Sequence, residues 1–255
     1  MARTLTILGL DKIGPVKPGD DIAQLIWDAA RADGVDLIDH DVVVISQKIV
    51  SKASGLLVDT SSIKPSRRAL ALSRRTGKDA KVIELILKDS AKILRADSQA
   101  LVVQRKDGLI CLNAGVDKSN VEGRAVFSRL PLDSDASANE ILLRLEELSG
   151  EQLGVIIGDS YSRPLRAGQV EFAIGVAGLE PIVDYRGLQD MFGYSLRYKY
   201  VGLADEIAAA AELVIGQGTE RTPVAILRGL DRVRFTRRPR LSRKLLLGRR
   251  LDLFR

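Results

Sequence analysis

The sequence predicts an α+β (mixed α/β) fold with two intertwined lobes. Three observations carry this. Short β-branched apolar runs such as Asp41–Ser46, DVVVIS, have the length and composition of strands buried on both faces. Segments of helical periodicity, such as Ile141–Leu148, alternate with such runs irregularly. No fixed-period repeat occurs, which excludes a solenoid or propeller.

Taken in order, Leu5–Leu8 reads as a strand and Gly9–Gly19 as a Gly/Pro-punctuated loop. Asp20 or Asp21 can cap a helix with Ile22, Leu25, Ile26, Ala29 and Ala30 on one face and Gly34 as its stop. The Asp41–Ser46 strand feeds a short helix closed by Gly55. Two helices are expected at Ser66–Arg75 and Asp79–Leu94. Strands Ala100–Arg105 and Leu109–Leu112 follow, joined by a Lys106-Asp107-Gly108 turn. After Pro131, Asp135 or Ser137 can cap an amphipathic helix, with Glu140 near the capping-box position. Leu153–Ser160 is an apolar strand ending in a polar turn, followed by an Arg/Gly-rich loop and a strand at Phe172–Val176. A helix at Leu203–Ile215 stops at Gly216, and Thr222–Gly229 is the last strand.

The composition narrows the function classes. With 255 residues, 45% hydrophobic and 28% charged, the chain suits a globular fold rather than disorder or collagen. No apolar run reaches the ~18 residues of a spanning helix. The first residues, MARTLTILGL, lack a signal-peptide pattern, and the single cysteine, Cys111, forms no internal disulfide, so a cytoplasmic location is expected. One cysteine and one histidine, His40, nearly exclude thiolate or imidazole metal cages; any metal should be hard and oxygen-liganded. The net charge of +6 is unevenly spread. Residues 228–255 hold eleven Lys/Arg and two acids, or +9, so the remainder carries −3. Nucleic acid is therefore not the expected partner of the body of the chain.

Several segments could carry chemistry. Asn113, Asp117, Ser119 and Asn120 cluster on one loop after a strand, able to serve a hydrated Mg²⁺ or Mn²⁺ beside a phosphate, or simply to form an Asx-turn network. Asp159 and Ser160 close an apolar strand, where α/β sheets offer polar groups to ligands; the alternative is a strand-end cap. Arg163 and Arg166 on a tight loop suit a carboxylate or phosphate, or are solvated charges. Gly9 and the Ser46-Gln47-Lys48 segment could hold a polyphosphate, although no Walker motif is present; the alternative for Lys48 is a solvent-exposed charge. Gly216-Gln217-Gly218 is a helix-to-strand turn or a plain glycine C-cap.

In combination and in order, these segments resemble one family. The blocks SQKIVSKASG (46–55), CLNAGVDKSN (111–120), GDSYSRPLRAGQ (158–169), AIGVAGL (173–179) and ADEIAAAAELVIGQ (204–217) are similar to the coenzyme F420-0:L-glutamate ligases over residues 5–230. The resemblance implies that family's α+β fold in a domain spanning 1–230, with 231–255 as a basic C-terminal extension. It implies GTP- and divalent-metal-dependent addition of L-glutamate to F420-0 through an acyl phosphate, two Mg²⁺ or Mn²⁺ ions with K⁺ as a further candidate, and a homodimer. It also implies roles. Asp117, Asp159, Ser160 and Gln217 would ligate metal. Leu8, Gly9, Leu10, Asp11, Ser46, Lys48, Asn120, Gly216 and Gly218 would contact nucleotide. Arg163 and Arg166 would be catalytic.

The sequence departs from the family pattern in places. Ser160 stands where threonine is usual, Ser162 where glycine is, Leu165 where tryptophan is, and Val170-Glu171 where a small residue and aspartate are. Gln104–Gly108 replaces a histidine-containing stretch, and Phe192–Glu206 also differs. These changes define two alternatives. One is a divergent ligase joining an amino acid or amine to a different carboxylate. The other is an inert core whose basic tail binds RNA or an anionic membrane surface, the plainer reading of the tail being a solvated or oligomer-packed terminal helix.

Overall fold

A computed structural model describes residues 3–163, 165–248 and 251. In chain order the elements begin with β1 (Thr6–Leu10), α1 (Ile22–Ala32), β2 (Val42–Ser46), α2 (Gln47–Ala53) and β3 (Leu57–Asp59). Next are α3 (Arg67–Thr76), α4 (Ala80–Asp89), β4 (Ser90–Ala96), β5 (Leu101–Arg105), β6 (Ile110–Leu112) and β7 (Val126–Ser128). The last are α5 (Ser134–Ser149), β8 (Gly154–Ser162), β9 (Gln169–Ala177), β10 (Val183–Asp184), β11 (Tyr200–Val201), α6 (Leu203–Ile215) and β12 (Val224–Arg228). They form two compact units interleaved in sequence, and the architecture is the expected α+β one. Unit 1 is 1–15, 21–47 and 134–255; unit 2 is 16–20 and 48–133.

Unit 1 is built on a five-stranded sheet in the order β1-β12-β2-β8-β9. Only β2 and β8 pair in parallel, with Val42 opposite Gly154 and Ser46 opposite Gly158; the other neighbours are antiparallel. Strands β2 and β12 are almost wholly buried, as their continuous apolar sequences require. Side chains alternate across the sheet. Val42, Val44, Ile156, Ala225 and Leu227 share a core with α6 through Ala204, Ile207, Ala208 and Ala211. The run of alanines lets α6 lie close to the strands. Asp21 caps α1, its carboxylate accepting from Gln24 N at 3.0 Å.

Unit 2 holds α3 and α4 over the antiparallel sheet β4-β5-β6, with β3 paired to β7. Its core gathers Ala69, Ile83, Leu85 and Ile86 from the helices against Leu101, Val103, Ala114 and Val116. Arg105 is buried to 1% exposure. Its guanidinium reaches Asp107, Ala114 O at 3.0 Å and Pro131 O at 2.8 Å, which fixes the start of the 113–120 loop.

Four expectations are corrected. The helix expected to run to Leu94 ends at Asp89, and Ser90–Ala96 is a strand. Pairing with β5 satisfies that backbone, and tertiary pairing overrides a marginal helical pattern. Gly9 lies inside β1, opposite Ala225, rather than in a loop after it. The α5 helix starts at Ser134, so Asp135 and Ser137 sit within it. Ser160 does not end its strand, because β8 continues to Ser162.

The segment after β12 packs on unit 1. Glu180 N donates to Arg234 O at 2.8 Å and Thr236 N to Gly178 O at 2.9 Å. Leu241 is fully buried in the α6 core, and Asp135 accepts from Val176 N, Ser242 N and Ser242 Oγ. Of the basic segment, residues 249, 250 and 252–255 lie outside the described residues.

Candidate active site

Register alone gathers most of the unit 1 candidates. Strands β1, β2 and β8 run in one direction, and β12 runs opposite between β1 and β2. The carboxyl ends of the first three therefore meet the start of β12, with Leu10 opposite Val224 and Val224 opposite Ile45. Leu8–Asp11, Ser46, Asp159, Ser160 and the 216–222 turn all lie at this edge. Ligands of parallel-containing α/β sheets settle at such carboxyl ends. Ser46 N donates to Pro223 O at 2.9 Å, tying the turn to the strand end.

Alternation sorts the side chains by face. Gly9 faces α6, where an added Cβ would lie 2.7 Å from Thr222 Cγ2 and 3.5 Å from Val214 Cβ. Close packing, rather than a turn, explains that glycine. Gly158 and Ser160 share the α6 face with Glu171, the cross-strand partner of Ser160. A Cβ on Gly158 would come within 2.6 Å of Glu171 Oε1, so the glycine makes room for this carboxyl. Asp159 sits at the same level on the other face.

A polar network closes around Glu171. Ser160 Oγ donates to Gln217 Oε1 at 2.7 Å and lies 3.3 Å from Glu171 Oε2. Gln217 Nε2 donates to Glu212 Oε1 at 2.7 Å, and Glu171 N donates to Glu212 Oε2 at 2.9 Å. Thus Glu212 sets the orientation of the Gln217 amide while holding the β9 backbone. Glu171 is 3% exposed. Burial, then the charges of Asp159 and Glu212, push its carboxyl up to about 8. A β-bulge between Ile157 and Gly158 twists the hairpin just before this cluster.

The 216–222 turn is shaped by backbone geometry. Gly216 has φ of +70°, and a Cβ there would meet Glu220 at 2.3 Å. Gly218 N donates to Glu220 Oε2 at 2.7 Å. Backbone amides of this turn hold the Glu220 carboxyl below its usual range. Arg163 and Arg166 stand on the β8–β9 loop. Arg166 is exposed, whereas Arg163 Nη2 donates to Ala167 O at 3.3 Å and its buried Nε has no hydrogen-bond partner among the described residues.

Unit 2 holds the remaining candidates. Lys48 Nζ donates to Asp117 Oδ2 at 2.5 Å and to Ser128 Oγ at 3.1 Å. Asp117 Oδ1 accepts from Lys118 N at 2.7 Å and Ser119 N at 3.1 Å, and the Ser119 hydroxyl also reaches the carboxylate. Burial pushes Asp117 up, but Lys48 and Ser119 outweigh it and hold the carboxyl below the usual range. Asn113, Ala114 and Gly115 have consecutive positive φ values of 53°, 55° and 70°. Such strain collects at functional loops. The buried Arg105 contacts over-determine it, and a Cβ on Gly115 would collide with Leu130 at 2.3 Å. Asn120, also left-handed with φ of 51°, is exposed.

The structure thus unites Ser160 with Gln217, and Lys48 with Asp117. Sequence reasoning assigned no role to Glu171, Glu212 or Gly158. The glycine two residues before Ser160, on the same face of β8, was the available signal. Among the described residues, no three His, Cys, Asp or Glu side chains form a ready metal cage. Besides the Gln217 Nε2 amide, which points at Glu212 and Glu171, the groups near Glu171 are oxygens: the Ser160 hydroxyl, Gln217 Oε1 and the carboxylates of Asp159 and Glu212. They fit a hard divalent cation that completes its shell from water or phosphate.

The family model for F420-0:gamma-glutamyl ligase matches residues 11–229. A protein of Methanothermobacter thermautotrophicus named coenzyme F420:L-glutamate ligase is 44% identical over 251 residues, covering 98% of this chain and 99% of its own. Namesakes from Methanopyrus kandleri and Methanocaldococcus jannaschii are 43% and 38% identical, covering 94% and 90% of this chain and 93% and 89% of theirs.

Proposed function

The chain belongs to the F420-0:gamma-glutamyl ligase family, and on that premise we propose that it joins L-glutamate to coenzyme F420-0 at the expense of GTP. The observation that carries the reading is the meeting of Leu8–Asp11, Ser46, Ser160 and the 216–222 turn at one edge of the unit 1 sheet. These are some of the nucleotide and metal positions that the resemblance implies, and their nearness along one sheet edge supports the reading.

In the proposed reaction an oxygen of the acceptor carboxylate attacks the γ-phosphorus of GTP, and GDP leaves with the electron pair of the broken P–O bond. The glutamate amine then attacks the acyl carbon, phosphate departs, and the nitrogen releases a proton. Activation replaces a poor leaving group by a good one. Lys48 supplies a positive charge for phosphate oxygens. Arg163 and Arg166, on their loop, suit a carboxylate or phosphate by bidentate pairing. Ser160, Gln217 and Asp159 in unit 1 and Asp117 in unit 2 would hold divalent cations, Mg²⁺ or Mn²⁺. When bound, such ions neutralise charge between the phosphates and the attacking carboxylate. Within this reading Glu171 and Glu212 keep Ser160 and Gln217 in place.

Cytoplasmic location and homodimer assembly belong to the same proposal. Among the described residues no helix is long and apolar enough to cross a membrane. The test is ligation by Asp117→Ala and Asp159→Ala. Each should lower the rate about 10²-fold or more, with folding retained, because charge neutralisation is worth several kcal/mol in the transition state. Wild-type rates in either variant would remove that residue from the metal assignment.

A further inference from the structure

The unit 1 surface formed by the segment after β12 has a composition that the ligase chemistry does not use. Its base is fixed: Leu241 is fully buried, and Ser242 N and Oγ both donate to Asp135. Acids of the body hold part of the charge, since Arg237 pairs with Glu146 at 2.6 Å, Arg238 with Glu180 at 3.7 Å, and Lys244 with Glu180. Arg234, Arg240 and Arg243 instead face solvent. In the same segment Leu246, Leu247 and Leu251 are 37%, 52% and 68% exposed. The sequence adds Arg249, Arg250, Leu253, Phe254 and Arg255 against one acid, Asp252.

Exposed leucines interleaved with unpaired arginines match one kind of partner best. Nucleic acid would use the arginines but leave several leucines in water, whereas a bilayer takes both. Anionic headgroups attract the bases, and the leucines enter the interfacial layer. The body of the chain, at −3, would be repelled by the same surface, so attraction is confined to this segment. We propose that residues 240–248 are a docking surface for an anionic phospholipid bilayer, held to unit 1 by Leu241 and the Asp135–Ser242 contact.

The test is cosedimentation of the full chain with vesicles of phosphatidylcholine alone or containing about 30% phosphatidylglycerol, at ~0.1 M salt. The expected result is binding to the anionic vesicles only. Each base near such a surface changes partitioning about fivefold, so Arg240→Glu/Arg243→Glu should lower binding by at least ~25-fold. Leu246→Asp/Leu247→Asp should also abolish it, while Arg74→Glu/Arg75→Glu, an equal charge change on exposed arginines at the end of α3, should not. Ligation and circular-dichroism spectra should be unchanged in all three. Absence of binding to anionic vesicles overturns the proposal, as does equal loss in the Arg74/Arg75 variant, which would indicate diffuse attraction. Retained binding in the leucine variant, or tighter binding to a single-stranded RNA than to the vesicles, overturns it equally.

Discussion

At the scale of single residues the site is governed by where charge is buried. Glu171 is shielded from water beside Asp159 and Glu212, so its carboxyl is raised to about 8 and the folded chain holds a proton that the unfolded chain releases near 4.5. Stability from this group is therefore present at low pH and is lost as pH rises from about 4.5 through about 8. In chelator-treated protein the melting temperature should fall across pH 5–8. Glu171→Gln should flatten that slope; an unchanged slope would show that Glu171 ionises freely in the folded chain. Asp41 illustrates the opposite solution. It is fully buried, accepts from Ile38 N, and is paired with Arg228 at 2.7 Å. Arg228→Ala would strand that charge and should cost about 3–5 kcal/mol in denaturant unfolding, part of it recovered by adding Asp41→Asn. Asp117 and Ser160 stood out in the sequence as candidates because each is a polar residue following an apolar run. Glu212 was not: its role depends on α6 ending beside β9, and no local pattern encodes that approach.

At the scale of elements, strands buried on both faces were the most legible, since a run such as VVVIS leaves little choice of environment. The α6 helix was equally clear, with its alanine-rich face and Gly216 stop. The misread element was β4. Its sequence, SAKILRA, fits either period, and only antiparallel pairing with β5 decides between them. Two-residue strands such as β10 and β11 leave no periodicity to read. The C-terminal segment shows why charge is a poor guide to packing. The resemblance set residues 231–255 apart as a basic extension, and within it Leu241 lies in the same core as Ile207 and Ala211. Leu241→Ala should destabilise the chain by ~2–4 kcal/mol in thermal or denaturant unfolding. A change below about 0.5 kcal/mol, the range of ordinary surface substitutions, would mean the segment is not anchored there.

At the scale of the whole molecule, the chain leaves unit 1 after Gln47 and returns at Ser134, and unit 2 is built almost entirely within that excursion. Its two anchoring positions are informative. Ser46 ends β2 at the edge where the unit 1 candidates gather, and Lys48, two residues later, pairs with Asp117 in unit 2. The motif SQK was legible as a phosphate-binding candidate because a strand end followed by a lysine at a helix start is a local pattern. Its connection to Asp117, 69 residues away, was not. The most direct measurement of the central claim is the mass of the product formed from F420-0, L-glutamate and GTP with Mg²⁺ or Mn²⁺. The account predicts a gain of one or more glutamyl residues, with one GDP released for each amide formed. Recovery of F420-0 with its mass unchanged, from folded protein supplied with nucleotide and metal, would contradict it.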